Sequence, residues 1–141
     1  MNSPQSYLLD TNIASYIVKG SSPAARDSLK GAIGESRVLI SSLSEAELLF
    51  GLEIRPQATA LRRAVHELLG VLEISPWDSS AALAYSRLRA YLRATGNAMA
   101  NMDLLIASHA MALGATLVSH DRVFHSVAPH LEVVDWASDL P

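Results

Sequence analysis

The sequence predicts an α/β fold, a central parallel sheet of about five strands flanked by helices. Two observations carry this. Short apolar runs alternate along the chain with segments of helical period, the pattern of strands joined by crossover helices. Four acidic residues, Asp10, Glu47, Asp103 and Asp121, also stand where an apolar run ends or a helical segment begins. In an open parallel sheet those ends lie along one edge, which is where ligands bind.

The first strand is read as Tyr7–Asp10, followed by a short helix in which Ile13, Tyr16 and Ile17 share a face. Breakers at Gly20–Pro23 and Gly34–Ser36 precede a second strand, Arg37–Ser41. Leu61, Ala64, Val65 and Leu68 define a helix from about Gln57 to Leu69, which leads into a strand at Val71–Ile74. After Pro76 and Asp78, Ala81, Ala84, Leu88, Tyr91 and Leu92 line one side of a long helix that ends before Gly96. A helix Met102–Leu113 follows, with Asn101 as its expected cap and Gly114 as its C-terminal stop before the strand Thr116–Ser119. The last strand is expected at Leu131–Val134, with a frayed tail after Trp136. No repeat, linker or low-complexity segment interrupts this order, so residues 1–141 read as one domain.

A chain of 141 residues is long enough for one core. Its apolar share is 50% and its charged share only 18%, against a typical charged share of about 25%. This leaves more apolar surface than a small monomer easily hides, so a homodimer face or a partner groove is expected beside the plainer reading of an alanine-rich core. The net charge of −3 gives no electrostatic footprint of nucleic-acid binding. An acidic site can still act on phosphates where metal ions and local arginines offset the repulsion. The absence of cysteine excludes disulfides, thiolate zinc sites and cysteine nucleophiles, and it fits a reducing cytoplasm. MNSPQSYLLD lacks the basic and apolar regions of a signal peptide. The most apolar stretch, Leu104–Val118, is broken by Ser108, His109 and Gly114 and is too short and too polar to cross a bilayer. A soluble cytoplasmic protein is expected.

Each of the four acids has a structural alternative to a catalytic role. Asp10 is placed to ligate a metal from a rigid strand end, or to cap the next helix, a task for which Asn12 is as well placed. Ser44 and Glu47 form an S-x-x-E capping box, so the spacing alone leaves Glu47 between cap and catalyst; Glu45 points to the other side of the same helix. Asp103 in a first helical turn complements the helix dipole. Asp121 can cap a turn beginning at Arg122. Their weight is joint. Two carboxylates at ~4 Å repel by about 4 kcal/mol at an effective dielectric near 20, so a cluster calls for a cation, and Mg²⁺ and Mn²⁺ prefer such oxygen ligands.

Rival chemistries lack their motifs. There is no G-x-G-x-x-G, no G-x-x-x-x-G-K-[ST] and no G-x-S-x-G. Thr11-Asn12 stands where aspartyl-phosphate hydrolases carry a second aspartate. The five histidines show no metal-ligand spacing; His120 alone neighbours the site, and His109, two turns beyond Asp103, reads as structural.

LLDTN, the A-E-L-x-x-G helix and D-x-L-I-A-x-H-A, in this order and spacing, resemble the PIN-domain ribonucleases, specifically the VapC-type toxins of bacterial toxin–antitoxin pairs. The resemblance runs from LLDTNIASYI to LEVVDW and implies a PIN-like three-layer fold. It implies that Asp10, Glu47, Asp103 and Asp121 form the acidic quartet that holds one or two Mg²⁺ or Mn²⁺ ions, supported by Thr11, Asn12 and Ser119. It further implies an endoribonuclease acting on structured RNA such as transfer or ribosomal RNA, leaving a 5′-phosphate and a 3′-hydroxyl. A homodimer and a cognate VapB-like antitoxin, seated on helices near Ile13–Ile17 and Leu48–Leu52, are implied as well. Arg89 and Arg93 are the first candidates for the RNA backbone, with Arg87 and Arg122 behind them. Two departures stand out: Gly96-Asn97-Ala98-Met99 replaces a Gly-x-Pro-Ile-type segment, and His120-Asp121 replaces an Asn-led pair. The alternatives to a nuclease are a catalytically degenerate PIN-like binding module, which should have lost an acid, and a metal-dependent phosphohydrolase, which would carry the second aspartate that Asp10 lacks.

Overall fold

The structure, a computed structural model, describes residues 5–127 and 130–141. Its sheet has five parallel strands in the order β3-β2-β1-β4-β5. Strand β1 (Ser6–Leu9) is central. The chain leaves it through helices α1 (Thr11–Lys19) and α2 (Pro23–Ala32) to reach β2 (Arg37–Ser41). Helices α3 (Ser42–Glu53) and α4 (Thr59–Val71) lead on to the edge strand β3 (Glu73–Ser75). Helices α5 (Ser79–Ala94) and α6 (Asn101–Leu113) then carry the chain back across β1 to β4 (Thr116–Val118). A 3₁₀ turn, Arg122–Val127, precedes β5 (Val133–Val134). Strand order therefore reverses between β1 and β4, and the crevice opens there.

Alternation along the strands sorts the core into two layers. Leu9, Val38, Ile40 and Val118 pack with Ile13, Leu29, Leu48, Val65 and Leu68 on one face of the sheet. Leu8, Leu39 and Leu117 pack with Leu88, Leu104, Ala107 and Phe124 on the other. With helices on both faces, the fold has three layers.

Most elements lie where the sequence places them, and the shifts have local causes. Strand β1 ends one residue early because Asp10 leaves the ladder to cap α1. Helix α4 runs on to Val71, so β3 starts two residues later than expected. Only Val133–Val134 of the last expected strand pair with β4. Helix α2, for which the sequence reading names no element, follows from Ser22 as N-cap and Pro23 in its first turn, a position where proline costs no hydrogen bond. Ser41, not Ser44, caps α3, and this removes the expected capping box: Ser44 lies inside the first turn and its hydroxyl meets Thr11 Oγ1 at 2.8 Å. Asn101 is likewise not a cap. The chain turns into α6 at Ala100, and Asn101 is the first helical residue.

The tail after Trp136 is docked, contrary to expectation. Trp136 packs against Tyr7 with ring centroids 5.1 Å apart, and Ala137 is fully buried. Asp139 accepts hydrogen bonds from Ser22 Oγ at 2.6 Å and the Ala24 amide at 3.1 Å, so it serves the start of α2 from the far end of the chain. Among the described residues no helix is long and apolar enough to cross a membrane.

Candidate active site

Asp10 is fixed first by its backbone, whose amide donates to the Val118 carbonyl across the β1–β4 crevice at 3.0 Å. Its carboxylate turns into the start of α1, where Oδ1 accepts from the Ile13 amide at 2.8 Å. The side chain is therefore both cap and candidate ligand. The residue is only 5% exposed, and burial pushes its carboxyl up to about 6. The Ser119 hydroxyl and the Ile13 amide pull the other way, while the negative charges of Asp103 and Asp121 add to the rise. Asp103, half-buried in the first turn of α6, is raised by burial and then by Asp121. Asp121 hangs from a tight turn after β4: its amide donates to Ser119 Oγ at 3.0 Å, and its Oδ1 accepts from the Val123 amide at 2.9 Å. Ser119, itself buried, thus touches both Asp10 and Asp121.

The structure brings Asp10, Asp103 and Asp121 into one electrostatic group. Glu47 stands apart from it, exposed on α3 in a cleft with Thr11, Asn12, Ser15 and Arg55. The Thr11–Ser44 hydroxyl pair ties the start of α1 to the first turn of α3, the helix that carries Glu47. Among the described residues no three acidic or histidine side chains converge tightly enough to enclose an ion by themselves.

The arginine candidates divide. Arg89 and Arg93 flank a shallow hollow with Asn97, Met99 and Asn101, at the end of α6 that carries Asp103. Arg89 donates to Tyr85 Oη at 3.0 Å. Arg87 faces Met111 at the opposite end of α6 and is not part of the site. Arg122 adjoins Asp121 and lines a polar pocket with His125, a residue that the sequence reading passed over. His120 bridges two acceptors: Nδ1 lies 2.8 Å from Asp135 Oδ2 and Nε2 lies 2.7 Å from the Pro141 carbonyl. Both ring nitrogens must then donate, and the two acceptors, the carbonyl foremost, raise its proton affinity. His109 is buried and bonds Ser75 Oγ at 3.2 Å, a structural role.

Residues 7–129 match the family profile of the PIN domain. This chain belongs to the PIN-domain family. Within it, the chain is 32% identical to ribonuclease VapC2 of Rickettsia felis over 92% of its own length and 97% of the relative's. It is 28% identical to the tRNA(fMet)-specific endonuclease VapC of Salmonella typhimurium, over 92% of this chain and 97% of that one. Its fold superposes with a TM-score of 0.86 on the crystal structure of VapBC2 from Rickettsia felis bound to a promoter DNA fragment, at 31% identity and covering 94% of this chain and 99% of that chain. These matches place this PIN domain in the VapC group.

The buried carboxylate has a measurable cost in this PIN domain. With Asp10 raised from its ordinary 3.8 to about 6, the native state binds the extra proton between those values. Stability of the metal-free protein then falls as pH rises through that window and stays reduced above it. Two pKa units correspond to about 3 kcal/mol. Asp10→Asn keeps the helix cap and removes the charge. In a chelator at about pH 7 it should melt roughly 5–10 °C above wild type, the gap closing as pH approaches about 4. A lower melting temperature for the variant at neutral pH would show that the carboxylate stabilises the fold instead.

Proposed function

We propose that this VapC-type ribonuclease hydrolyses a phosphodiester bond of structured RNA, transfer or ribosomal, with one or two Mg²⁺ or Mn²⁺ ions held among Asp10, Asp103, Asp121 and Glu47. The observation that carries this is the Asp10 carboxyl itself: buried at a topological switch point, raised to about 6, and faced by two further carboxylates. A fold keeps such a group at a cost unless a cation joins it. The donor set is all oxygen, as these ions prefer. When bound, such a cation lowers the pKa of a water and offsets charge on the attacking and leaving oxygens.

In this reading Asp10 and Asp103 are the direct ligands, and Glu47 and Asp121 hold waters or a second ion. Ser119 keeps Asp10 oriented and favours its charged form. No protein nucleophile is needed, and the products are a 5′-phosphate and a 3′-hydroxyl. Arg89 and Arg93 offer cations to the RNA backbone beside Asp103. The Salmonella relative is named for tRNA(fMet), which makes transfer RNA the first substrate to test.

Incubating the purified protein with total transfer and ribosomal RNA and Mg²⁺ or Mn²⁺ should give discrete fragments. They should disappear with EDTA, fall at least about a hundredfold in Asp10→Asn, and fall about tenfold in Ser119→Ala. Fragments that persist in the Asp10→Asn protein overturn the site, and metal binding without any RNA cleavage overturns the activity.

A cognate antitoxin is the partner this reading requires, as the Rickettsia neighbour is a VapBC complex. The surface that suits it coincides only in part with the Ile13–Ile17 and Leu48–Leu52 face expected from sequence: Ile13, Leu48 and Leu52 are core residues, whereas Ile17 lines it. It is a groove of about 420 Å³ between α1, α2 and α4, floored by Leu29 and Leu68, with the exposed Ile33 and Val71 beside it and Arg26 and Lys30 at its rim. Ile33→Glu with Val71→Glu should leave cleavage intact and abolish neutralisation by the antitoxin in a co-expression growth assay. Unchanged neutralisation would place the antitoxin elsewhere.

The second copy of an expected homodimer has its own candidate face. Phe50 is 59% exposed on α3, with Leu49 and Ile54 beside it. Sedimentation should show a dimer for wild type and a monomer for Phe50→Asp; a dimer in both would move the interface off α3.

A further inference from the structure

Beside Asp121 lies a polar pocket of about 640 Å³ whose walls come from two parts of the chain. One wall is the 3₁₀ turn, in which side chains three residues apart eclipse, so Arg122 and His125 stand over one another on the same side. The other wall is β5 and the docked tail, with Val133, Leu140 and Pro141. Two carboxylates face the pocket, and both are engaged within the protein. Asp135 bonds His120 through Oδ2 and the Ala137 amide through Oδ1, and Asp121 Oδ1 holds the Val123 amide. Among the described residues Arg122 and His125 make no ion pair. The pocket thus presents a guanidinium and an imidazole that make no ion pair among the described residues, beside apolar side chains and next to carboxylates that repel phosphate.

We propose that this pocket is a subsite for a nucleotide flanking the scissile bond of RNA, its phosphate held by Arg122 and His125 and its sugar and base lying on Val133, Leu140 and Pro141. The inference rests on the ribonuclease reading above and adds to it where the strand runs after it leaves the acids. A guanidinium suits this place because its planar fork matches phosphate geometry and carries its charge at every working pH. An RNA strand that passes Asp121 needs such a cation within one nucleotide of the carboxylates. Strand β5 and the docked tail together supply the apolar side.

The test uses fluorescein-labelled bulk transfer RNA, with binding read by anisotropy over a salt series in the uncleaving Asp10→Asn background, and steady-state cleavage read in the otherwise wild-type protein. Arg122→Ala should raise both Kd and KM about tenfold, leave kcat within about twofold, and lower the slope of log Kd against log salt by about one. His125→Ala should act in the same direction and less. Arg63→Ala, exposed on α4, removes the same charge away from the pocket and should change neither constant. The proposal is overturned if Arg122→Ala behaves as Arg63→Ala does, or if Arg122→Ala lowers kcat with KM unchanged. A wild-type protein that cuts no RNA would overturn the ribonuclease reading, while the binding series would still decide the subsite.

Discussion

Strand order reverses between β1 and β4, and the site depends on that reversal. The chain leaves β1 toward α1, which packs on one face of the sheet, and arrives at β4 from α6, which packs on the other. The crevice is closed at its base by one backbone hydrogen bond, from the Asp10 amide to the Val118 carbonyl. That bond sets Asp10 at the start of α1 and Ser119 and Asp121 just past β4 within reach of one another. Asp103 arrives on the helix that feeds β4. Three acids separated by up to 111 positions in sequence thereby share one field.

The same placement explains why Asp10 can be buried at all. A carboxylate withdrawn from water normally neutralises or finds donors. Asp10 has two, the Ile13 amide and the Ser119 hydroxyl, and they offset only part of the burial and of the repulsion from Asp103 and Asp121. What remains is a group poised near neutrality, strained in the direction that a cation relieves. The cap role takes one oxygen, which meets the helix, and leaves the negative charge facing Asp103 and Asp121.

The sheet and the places of Asp10, Asp103 and Asp121 near element ends were legible in the sequence, because apolar period and position survive in one dimension; Glu47 lies in mid-helix. The capping box at Ser44 was not what it looked like, since Ser41 sits one turn earlier and competes for the same role. A spacing rule cannot choose between two serines. Arg87 and Arg93 differ by less than two helical turns on α5, yet they end at opposite ends of α6, a distinction made by the packing of two helices and by nothing within either. The acidic quartet splits three to one for a similar reason: only the relative placement of α1 and α3 leaves Glu47 in its own cleft.

The tail was misread as frayed because its anchors are all remote in sequence. Asp139 serves Ser22 and Ala24, Trp136 packs on Tyr7, and Pro141 presents its carbonyl to His120. His120 is also where the sequence departs from the Asn-led pair of the family resemblance, and the two anomalies are one feature. An imidazole with hydrogen on both nitrogens donates in two divergent directions from a rigid ring, so it can bridge the Asp135 carboxylate and the Pro141 carbonyl at once. An asparagine amide places its donors on a single nitrogen and cannot span acceptors on either side of it. With histidine at this position the turn that bears Ser119 and Asp121 is fastened to the tail, and the tail becomes a wall of the pocket beside Asp121.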